Sequence, residues 1–329
     1  SKNQAFYRIL YRRRFLMSKE PRIFLLGPTA SGKTDLTKFC HDEFPINIIN
    51  VDSAQVYKDF NIGTAKPNEQ ELAKYPHHLI NIINPYTSYS AFDFKDDVER
   101  ICSTSENKRR IPFLSGGTMM YFNTLEFPLD DIPPTNKNVR CRVANELDAH
   151  GLNYLFQKLL ELDPVLAKKI LPSDTQRILR AVEVFYETGK PLSSFYKTKS
   201  RAMNPYPLLK IGLFPEDRDK LHGLIKQRVD SMLSNGLIEE VEKILVLYPD
   251  LDDTYMSLRA VGYRQTYLYL KGKLPKEELR DKIVFATRQL AKRQLTWMRK
   301  MDNLETFDPF DNQLRVKVKD KIDSFLGKH

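Results

Sequence analysis

Residues 25–34 read LLGPTASGKT and contain the phosphate-binding pattern GxxxxGK[ST]. In this pattern, backbone amides and the positive end of the following helix bind phosphate oxygens. Lys33 adds a point charge, and the hydroxyl of Thr34 can bind Mg2+. An apolar run precedes the pattern and a helix-compatible run follows it, so a mere glycine turn is disfavoured. We predict a diphosphate or nucleotide site formed by Gly27, Pro28, Thr29, Ala30, Ser31, Gly32, Lys33 and Thr34.

Two further polar residues follow apolar runs that read as strands. Asp52 follows the run from Ile46 to Val51, and Thr118 follows Gly116 and Gly117 at the end of the next such run. Ligands bind beyond the carboxyl ends of parallel strands, so Asp52 is expected in the same crevice as the phosphate loop. From its position alone, Asp52 could equally be the acid on the magnesium side of a nucleotide hydrolase. The Gly-Gly pair replaces the usual hydrolase acid and permits close approach of a backbone or ligand.

An arginine interrupts the apolar face of a predicted helix. Leu221, Ile225, Arg228 and Met232 are spaced by four, three and four residues, which places them on one face. A cation among apolar side chains needs an anion. That anion is either a carboxylate of the core or a bound phosphate.

The segment from Thr135 to Pro205 reads as helices and turns, and it holds 12 Lys and Arg against 7 Asp and Glu. Arg177 and Arg180 share one face of a helix in this segment. They could clamp a nucleic-acid backbone or form a solvated charged face. Residues Arg280 to Lys300 supply a second basic surface.

The elements that must position these residues predict an α/β fold. Short apolar runs alternate with amphipathic runs before and after the helical segment, which indicates a P-loop NTPase-like parallel sheet core with an inserted helical domain. The predicted parts are an N-terminal extension (1–20), the first part of the core (21–134), an inserted helical domain (135–205) and a mainly helical second part of the core (206–329).

Composition narrows the class of protein. The 329 residues are 41% hydrophobic and carry a net charge of +10, which indicates a globular protein that favours a polyanionic partner. No apolar run is long enough for a membrane span, and the three isolated cysteines support neither a disulfide framework nor a zinc site. We therefore expect a cytoplasmic protein.

Residues 1–17 are basic and free of acids, so they are either a mitochondrial transit peptide or an upstream extension. His77 and His78 lack ligand partners at metal-site spacing and are expected to be structural.

Six ordered motifs carry a family resemblance: GPTASGKT, VDSAQVYKDFNIGTAKP, PHHLINIINPYTSYSAFDF, SGGTMMYF, QRILRAVEVFYETGKPLS and RAVGYRQ with ATRQLAKRQLTW. Over about 21–301 the chain resembles the tRNA dimethylallyltransferases, the bacterial type of tRNA isopentenyltransferase. The resemblance implies transfer of a dimethylallyl group from dimethylallyl diphosphate to the exocyclic amine of the adenine next to the anticodon, with magnesium. It also implies that the anticodon stem-loop of tRNA is the partner, and we expect a monomer.

The resemblance assigns a role to each candidate residue. Lys33, Mg2+ and Arg228 would stabilise the charge on the departing diphosphate. Asp52 would accept the proton of the adenine amine, and Thr118 offers a hydroxyl beside it. The residues implied to contact tRNA are Asp52, Ser53, Ala54, Gln55, Thr118, Arg140, Gln176, Arg177, Ile178, Leu179, Arg180, Arg259, Ala260, Val261, Gly262, Tyr263 and Arg264.

Other functions stay open at this point. A P-loop nucleoside or nucleotide kinase would share the phosphate loop, and a prenyltransferase acting on free adenine nucleotides would share the chemistry. A non-catalytic RNA-binding regulator would share the basic charge. The chain departs from the family at Asn123, where a lysine is common, and at Glu126–Leu129, which replaces a more glycine-rich stretch.

Overall fold

The computed structural model describes residues 20–104, 109–127, 132, 135–196 and 205–328. These residues form two compact units, one within 1–125 and 204–329 and the other within 126–203. The predicted insertion, 135–205, falls largely within the second unit. The transit-peptide and extension hypotheses for residues 1–17 lie outside the described residues.

The first unit is built on a sheet of six parallel strands in the order β3-β2-β4-β1-β5-β6. The strands are Arg22–Leu26 (β1), Ile46–Val51 (β2), His77–His78 (β3), Ile111–Gly116 (β4), Leu208–Leu213 (β5) and Leu304–Phe307 (β6). The sheet confirms the predicted α/β fold with a parallel sheet. Because β4 lies between β1 and β2, the residues after these three strands meet at one edge of the sheet.

Helices cover both faces of this sheet. Phe24 and Leu26 of β1 belong to one apolar core, and Ile23 and Leu25 belong to the core on the opposite face. This alternation follows from the two-residue period of a strand. The helices of the first unit are Lys33–Glu43 (α1), Glu69–Lys74 (α2), Ala91–Ser103 (α3) and Met119–Glu126 (α4), which ends at the boundary. After the second unit come Arg218–Ser234 (α8), Leu237–Leu247 (α9), Tyr263–Leu270 (α10), Lys276–Met298 (α11) and Leu314–Lys328 (α12).

The second unit is helical. Its helices are Lys137–Leu162 (α5), Pro164–Ala167 (α6) and Thr175–Thr188 (α7), followed by a 3-10 turn at Leu192–Phe195. Asp174 caps α7 by accepting the backbone N–H of Arg177, and Gly189 ends the helix in a left-handed conformation. The buried face of α7 packs into an apolar core made of the unit's own residues.

No helix of the described residues is both long enough and apolar enough to cross a membrane.

Candidate active site

The phosphate loop joins β1 to α1, as the pattern predicted. Ser31 donates its hydroxyl to the carbonyl of Pro28 at 2.7 Å, which closes the loop. The Lys33 ammonium turns back and donates to the carbonyls of Gly27 (2.8 Å) and Pro28 (2.7 Å). The loop therefore holds its lysine over the position where phosphate oxygens bind. Thr34 is exposed in the first turn of α1.

Arg228 reaches this loop from α8. Its Nη1 donates to the hydroxyl of Thr29 at 2.9 Å. No described residue forms a salt bridge with Arg228, so the alternative of a carboxylate partner in the core is not found. Burial lowers the pKa of Arg228, and burial together with Arg228 lowers the pKa of Lys33 to about 7. Two half-buried cations that form no salt bridge within the described part of the chain fit an anionic ligand.

Asp52 lies at the turn that follows β2. Its Oδ1 accepts the backbone N–H groups of Ala54 (2.8 Å) and Gln55 (3.2 Å). Its charge raises the pKa of both Lys33 and Arg228. Because β1 and β2 are parallel and end at one edge of the sheet, Asp52 and the phosphate loop lie at that same edge.

Thr118 borders the Asp52 turn. Its hydroxyl accepts the backbone N–H of Ser53 at 3.0 Å and lies 3.4 Å from the Ser53 hydroxyl. Because Thr118 follows β4, it joins the turn after β2 to the edge where the phosphate loop begins. Ser53 is exposed, and Ala54 and Gln55 are half-buried.

The Gly116–Gly117 pair permits packing of protein atoms. A Cβ at Gly116 would lie 1.9 Å from the carbonyl oxygen of Val51, and one at Gly117 would lie 2.5 Å from Nε2 of Gln294. Of the two expectations for this pair, the structure shows the close approach of protein groups.

Gln294 is a residue that the sequence reasoning missed. From α11 it donates Nε2 to the carbonyl of Gly117 (2.9 Å) and accepts the backbone N–H of Thr29 on its Oε1 (3.0 Å). It thereby links the phosphate loop to the end of β4. Its signal was a glutamine among the buried positions Ala291, Leu295 and Met298.

A cleft of about 880 Å³ opens beside Arg228. Its apolar lining includes Ile62, Leu72 and Met232, and its charged lining includes Lys66. The Lys66 ammonium donates to the carbonyl of Tyr57 and to the side chain of Asn81, each at 2.6 Å. Burial lowers the pKa of Lys66 to about 8. The cleft thus offers apolar contact next to the anion site.

In the helical unit, two of the residues assigned to tRNA converge. Arg140 donates to the hydroxyl of Thr135 at 3.4 Å, and Arg180 donates to the same hydroxyl at 3.1 Å. Burial, and then the charge of Arg140, lowers the pKa of Arg180. Arg177 is exposed and pairs with Asp174 at 3.4 Å.

The neighbouring residues of that motif differ in exposure. Gln176 is exposed, Leu179 is half-buried and Ile178 is fully buried. The Ile178 side chain packs in the core of the helical unit, so direct contact between this side chain and RNA is not compatible with the structure.

The residues from Arg259 to Arg264 also differ in their exposure to solvent. Arg259 and Arg264 are exposed, Ala260 and Val261 are half-buried, and Gly262 is buried. Tyr263 is fully buried, and its hydroxyl donates to Glu240. The Tyr263 side chain is therefore internal, and the expectation that it touches RNA directly is wrong for this conformation. Its sequence neighbours at both ends of the segment keep the predicted surface position.

A magnesium ion fits the groups at the phosphate loop. Among the described residues, no cluster of three or more His, Cys, Asp or Glu could hold a metal. Mg2+ needs no such cluster, because it retains waters and takes one or two protein oxygens together with phosphate oxygens. The Thr34 hydroxyl is exposed at the loop, and Asp52 supplies a carboxylate at the same sheet edge.

The two histidines form β3. One ring nitrogen of His77 lies 2.6 Å from the carbonyl of Tyr75, and one of His78 lies 2.9 Å from the side-chain oxygen of Asn47. Both rings thus bond protein oxygens at the edge of the sheet.

Comparisons with known proteins agree with this geometry. The pattern of the IPP transferase family matches residues 55–301. A tRNA dimethylallyltransferase of Methylobacillus flagellatus is 43% identical over 312 residues, which cover 95% of this chain and 99% of the relative. One of Legionella pneumophila strain Lens is 45% identical over 307 residues, covering 92% and 97%.

Solved structures are similar as well. The tRNA isopentenylpyrophosphate transferase of Bacillus halodurans aligns with a TM-score of 0.67 at 34% identity, covering 94% of this chain and 98% of its own. A eukaryotic dimethylallyltransferase, captured acting on tRNA, aligns with a TM-score of 0.74 at 25% identity, covering 93% and 80%.

Proposed function

The chain belongs to the IPP transferase family, and we propose that it transfers a dimethylallyl group from dimethylallyl diphosphate to the exocyclic amine of the adenine 3' to the anticodon in tRNA. The observation that carries this proposal is the crevice at the edge of the sheet, where the half-buried cations Lys33 and Arg228 meet at the phosphate loop and Asp52 follows the neighbouring strand. One side of that crevice suits a diphosphate, and the other suits a nucleophile that must lose a proton.

The phosphate loop binds the leaving group. When the bond between the allylic carbon and the diphosphate oxygen breaks, its electron pair goes to the diphosphate. Lys33, the loop amides and Arg228 stabilise that developing charge. Ile62, Leu72 and Met232, which line the adjoining cleft, offer contact for the allylic chain.

Asp52 accepts the proton. The exocyclic amine of adenine is a weak nucleophile, and its nitrogen forms the new bond to the allylic carbon while one N–H proton passes to the carboxylate. Asp52 Oδ1 is held by the amides of Ala54 and Gln55. Those bonds fix the orientation of the carboxylate and leave its other oxygen for the substrate. Thr118 holds the same turn through the N–H of Ser53.

Mg2+ is proposed as the cofactor. Thr34 and the diphosphate oxygens would hold it. When bound, the ion supplies positive charge that stabilises the departing diphosphate.

The tRNA is the proposed acceptor. A base inside a stacked anticodon loop cannot reach the crevice, so the adenine must turn out of the stack, which an RNA loop permits at low cost. Arg140, Arg177 and Arg180 of the helical unit and Arg259 and Arg264 of the first unit are proposed to contact the RNA backbone. The monomeric state stays a prediction.

The kinase alternative is not favoured. β4 lies directly between β1 and β2, and it ends in Gly116, Gly117 and Thr118 with no carboxylate for a magnesium-nucleotide. The family match and the tRNA-modifying relatives argue equally against a prenyltransferase of free nucleotides and a non-catalytic regulator.

Mass spectrometry of tRNA nucleosides tests the proposal. The full chain is incubated with unmodified tRNA, dimethylallyl diphosphate and magnesium, and the tRNA is digested. We expect isopentenyladenosine at one adenosine per modified tRNA. Parallel incubations with AMP and with ATP plus a nucleoside test the two alternative enzymes, and product in either of those alone would contradict the proposal.

A further inference from the structure

A carboxylate outside the crevice organises the loop that follows Asp52. Glu240, on α9, accepts the backbone N–H of Asn61 at 3.1 Å on its Oε1. It accepts the N–H of Ile62 on both oxygens, at 3.1 Å and 2.8 Å. The hydroxyl of Tyr263, on α10, donates to the same Oε1 at 2.5 Å. A carboxylate with three donors around it is a fixed point, because each bond is assisted by its charge.

Tyr263 holds the same loop through its ring and its hydroxyl, and together with Glu240 it forms the attachment of residues 60–64. Its ring is fully buried and lies 4.4 Å from the ring of Phe60. Its hydroxyl accepts the backbone N–H of Gly63 at 3.0 Å while it donates to Glu240. A Cβ at Gly63 would lie 2.5 Å from Cε2 of this ring, so only glycine lets the turn sit on the tyrosine. Burial and the charge of Glu240 raise the pKa of the phenol, which keeps the hydroxyl a donor.

The turn at residues 60–64 is connected to the proposed base. The side-chain amide of Gln55 donates to the carbonyl of Thr64 at 2.9 Å. The backbone N–H of Gln55 is one of the two donors to Asp52 Oδ1. The path from Glu240 and Tyr263 to Asp52 is thus a chain of direct hydrogen bonds through one turn and one glutamine.

We infer that Glu240 and Tyr263 are positioning residues, which hold the 60–64 turn and, through Gln55, keep the Asp52 carboxylate in place for proton abstraction. This inference rests on the proposed function of Asp52. A displacement of about 1 Å at a reacting group can lower a rate by roughly 10²-fold. The charged groups that act on Asp52 are Lys33, Arg228 and Lys66, and of these Lys66 also interacts with the charge of Glu240.

The test uses Tyr263→Phe, which removes the hydroxyl and keeps the ring. We expect kcat for tRNA prenylation to fall by about 10- to 100-fold. The dissociation constant of inorganic pyrophosphate should stay within about twofold, since the phosphate loop lies outside the hydrogen-bond path. The KM for dimethylallyl diphosphate should likewise stay within about twofold, so the loss should appear in kcat.

Two further variants disrupt the same attachment at other residues. Glu240→Gln removes the charge, and Gly63→Ala pushes the ring away from the turn. Both should reproduce the Tyr263→Phe loss, and combining Glu240→Gln with Tyr263→Phe should add little, because the residues act as one unit. The matched control is Tyr267→Phe, since Tyr267 lies one turn later on α10 and makes no hydrogen bond to the 60–64 turn within the described residues.

The results of these measurements distinguish a failure of the proposed function from a failure of the positioning role. A wild-type protein without prenylation activity would overturn the proposed function itself. With an active wild type, an unchanged kcat per correctly folded molecule in Tyr263→Phe would overturn the positioning role, and so would a loss confined to KM. A lower melting temperature alone, with kcat corrected by active-site titration equal to wild type, would do the same for any of the three variants.

Discussion

Lys33 combines two properties that distinguish it from a surface lysine: it is half-buried, and its charge interacts with that of Arg228. Its pKa is lowered to about 7 from the ordinary 10.5, first by burial and then by Arg228. A bound diphosphate adds negative charge beside the ammonium and raises the pKa again. Between about pH 7 and the ordinary lysine pKa of 10.5, Lys33 therefore carries a proton in the diphosphate complex that it lacks in the free protein.

This difference predicts proton uptake on binding of pyrophosphate. By linkage, the affinity for inorganic pyrophosphate should fall as the pH rises from about 7 toward the ordinary lysine value. Calorimetry near about pH 8.5 in two buffers of different ionisation enthalpy should show uptake approaching one proton more than in Lys33→Met. The comparison removes the titration of pyrophosphate itself. Equal uptake in both proteins would contradict the assignment of the proton to Lys33.

Asp52 has two proposed roles that fail in different ways. Asp52→Asn keeps the acceptor oxygen for Ala54 and Gln55 but cannot take a proton, so turnover should drop by about 10² to 10⁴ with little change in affinity for tRNA or diphosphate. Loss of a magnesium ligand would instead weaken diphosphate binding. Turnover and ligand affinity are measured separately across a magnesium titration. Recovery of the rate at high magnesium would remove Asp52 from the role of base.

At the scale of elements, the pattern of apolar residues predicted the strands that are long and buried on both faces. The runs at β1, β2, β4 and β5 are largely apolar because both faces of these strands are covered, and they are the short apolar runs from which the parallel sheet was predicted. Strands β3 and β6 were not, since one is only two residues long and the other is exposed at its centre. Neither leaves a periodic signal.

The sequence predicted only the part of the site whose residues leave a pattern within a short stretch of the chain. The phosphate loop, Asp52 and Arg228 each break a local rule in a short stretch of sequence, and the structure brings them together. Gln294 lies 265 residues from Thr29 in the chain, and Glu240 lies 178 residues from Ile62. No local pattern encodes such a pairing. Ile178 and Tyr263 show the converse error, in which a motif near RNA contacts also contains residues that only pack.

Helices α5 and α7 carry a prediction about RNA. Arg140 and Arg180 both donate to the hydroxyl of Thr135, and the carboxylate of Glu183 lies 4.0 Å from Arg180. A phosphate of the RNA backbone would add a further acceptor for both guanidinium groups. We expect Arg140→Ala and Arg180→Ala each to weaken tRNA binding and to reduce the slope of log K against log salt by about 1.

Filter binding of tRNA at several salt concentrations measures that slope. Lys169→Ala is the matched control, because it removes an exposed positive charge from the same unit. Equal slopes for Lys169→Ala and the arginine variants would mean that only the overall charge of the unit matters.

At the scale of the whole molecule, the two units have separate internal cores. The sheet unit has one apolar core on each face of its sheet, and the helical unit has a core composed of its own residues. The proposed division of labour follows this arrangement, since all groups proposed to bind diphosphate belong to the sheet unit. Units with their own cores can open at different free energies.

A cavity in the helical core should therefore separate RNA binding from diphosphate binding. Leu159 is fully buried in that core, so Leu159→Ala should destabilise the helical unit by about 2–5 kcal/mol. Leu171→Ala, at a residue 70% exposed in the same unit, should change stability by less than about 0.5 kcal/mol. Calorimetric unfolding with and without inorganic pyrophosphate should show that the ligand raises the transition of the sheet unit by mass action in both variants. Affinity for tRNA should fall in Leu159→Ala alone, at temperatures above its lowered transition. If Leu159→Ala lost the pyrophosphate effect as well, the two sites would depend on one cooperative structure, and the assignment of RNA binding to the helical unit would lose its support.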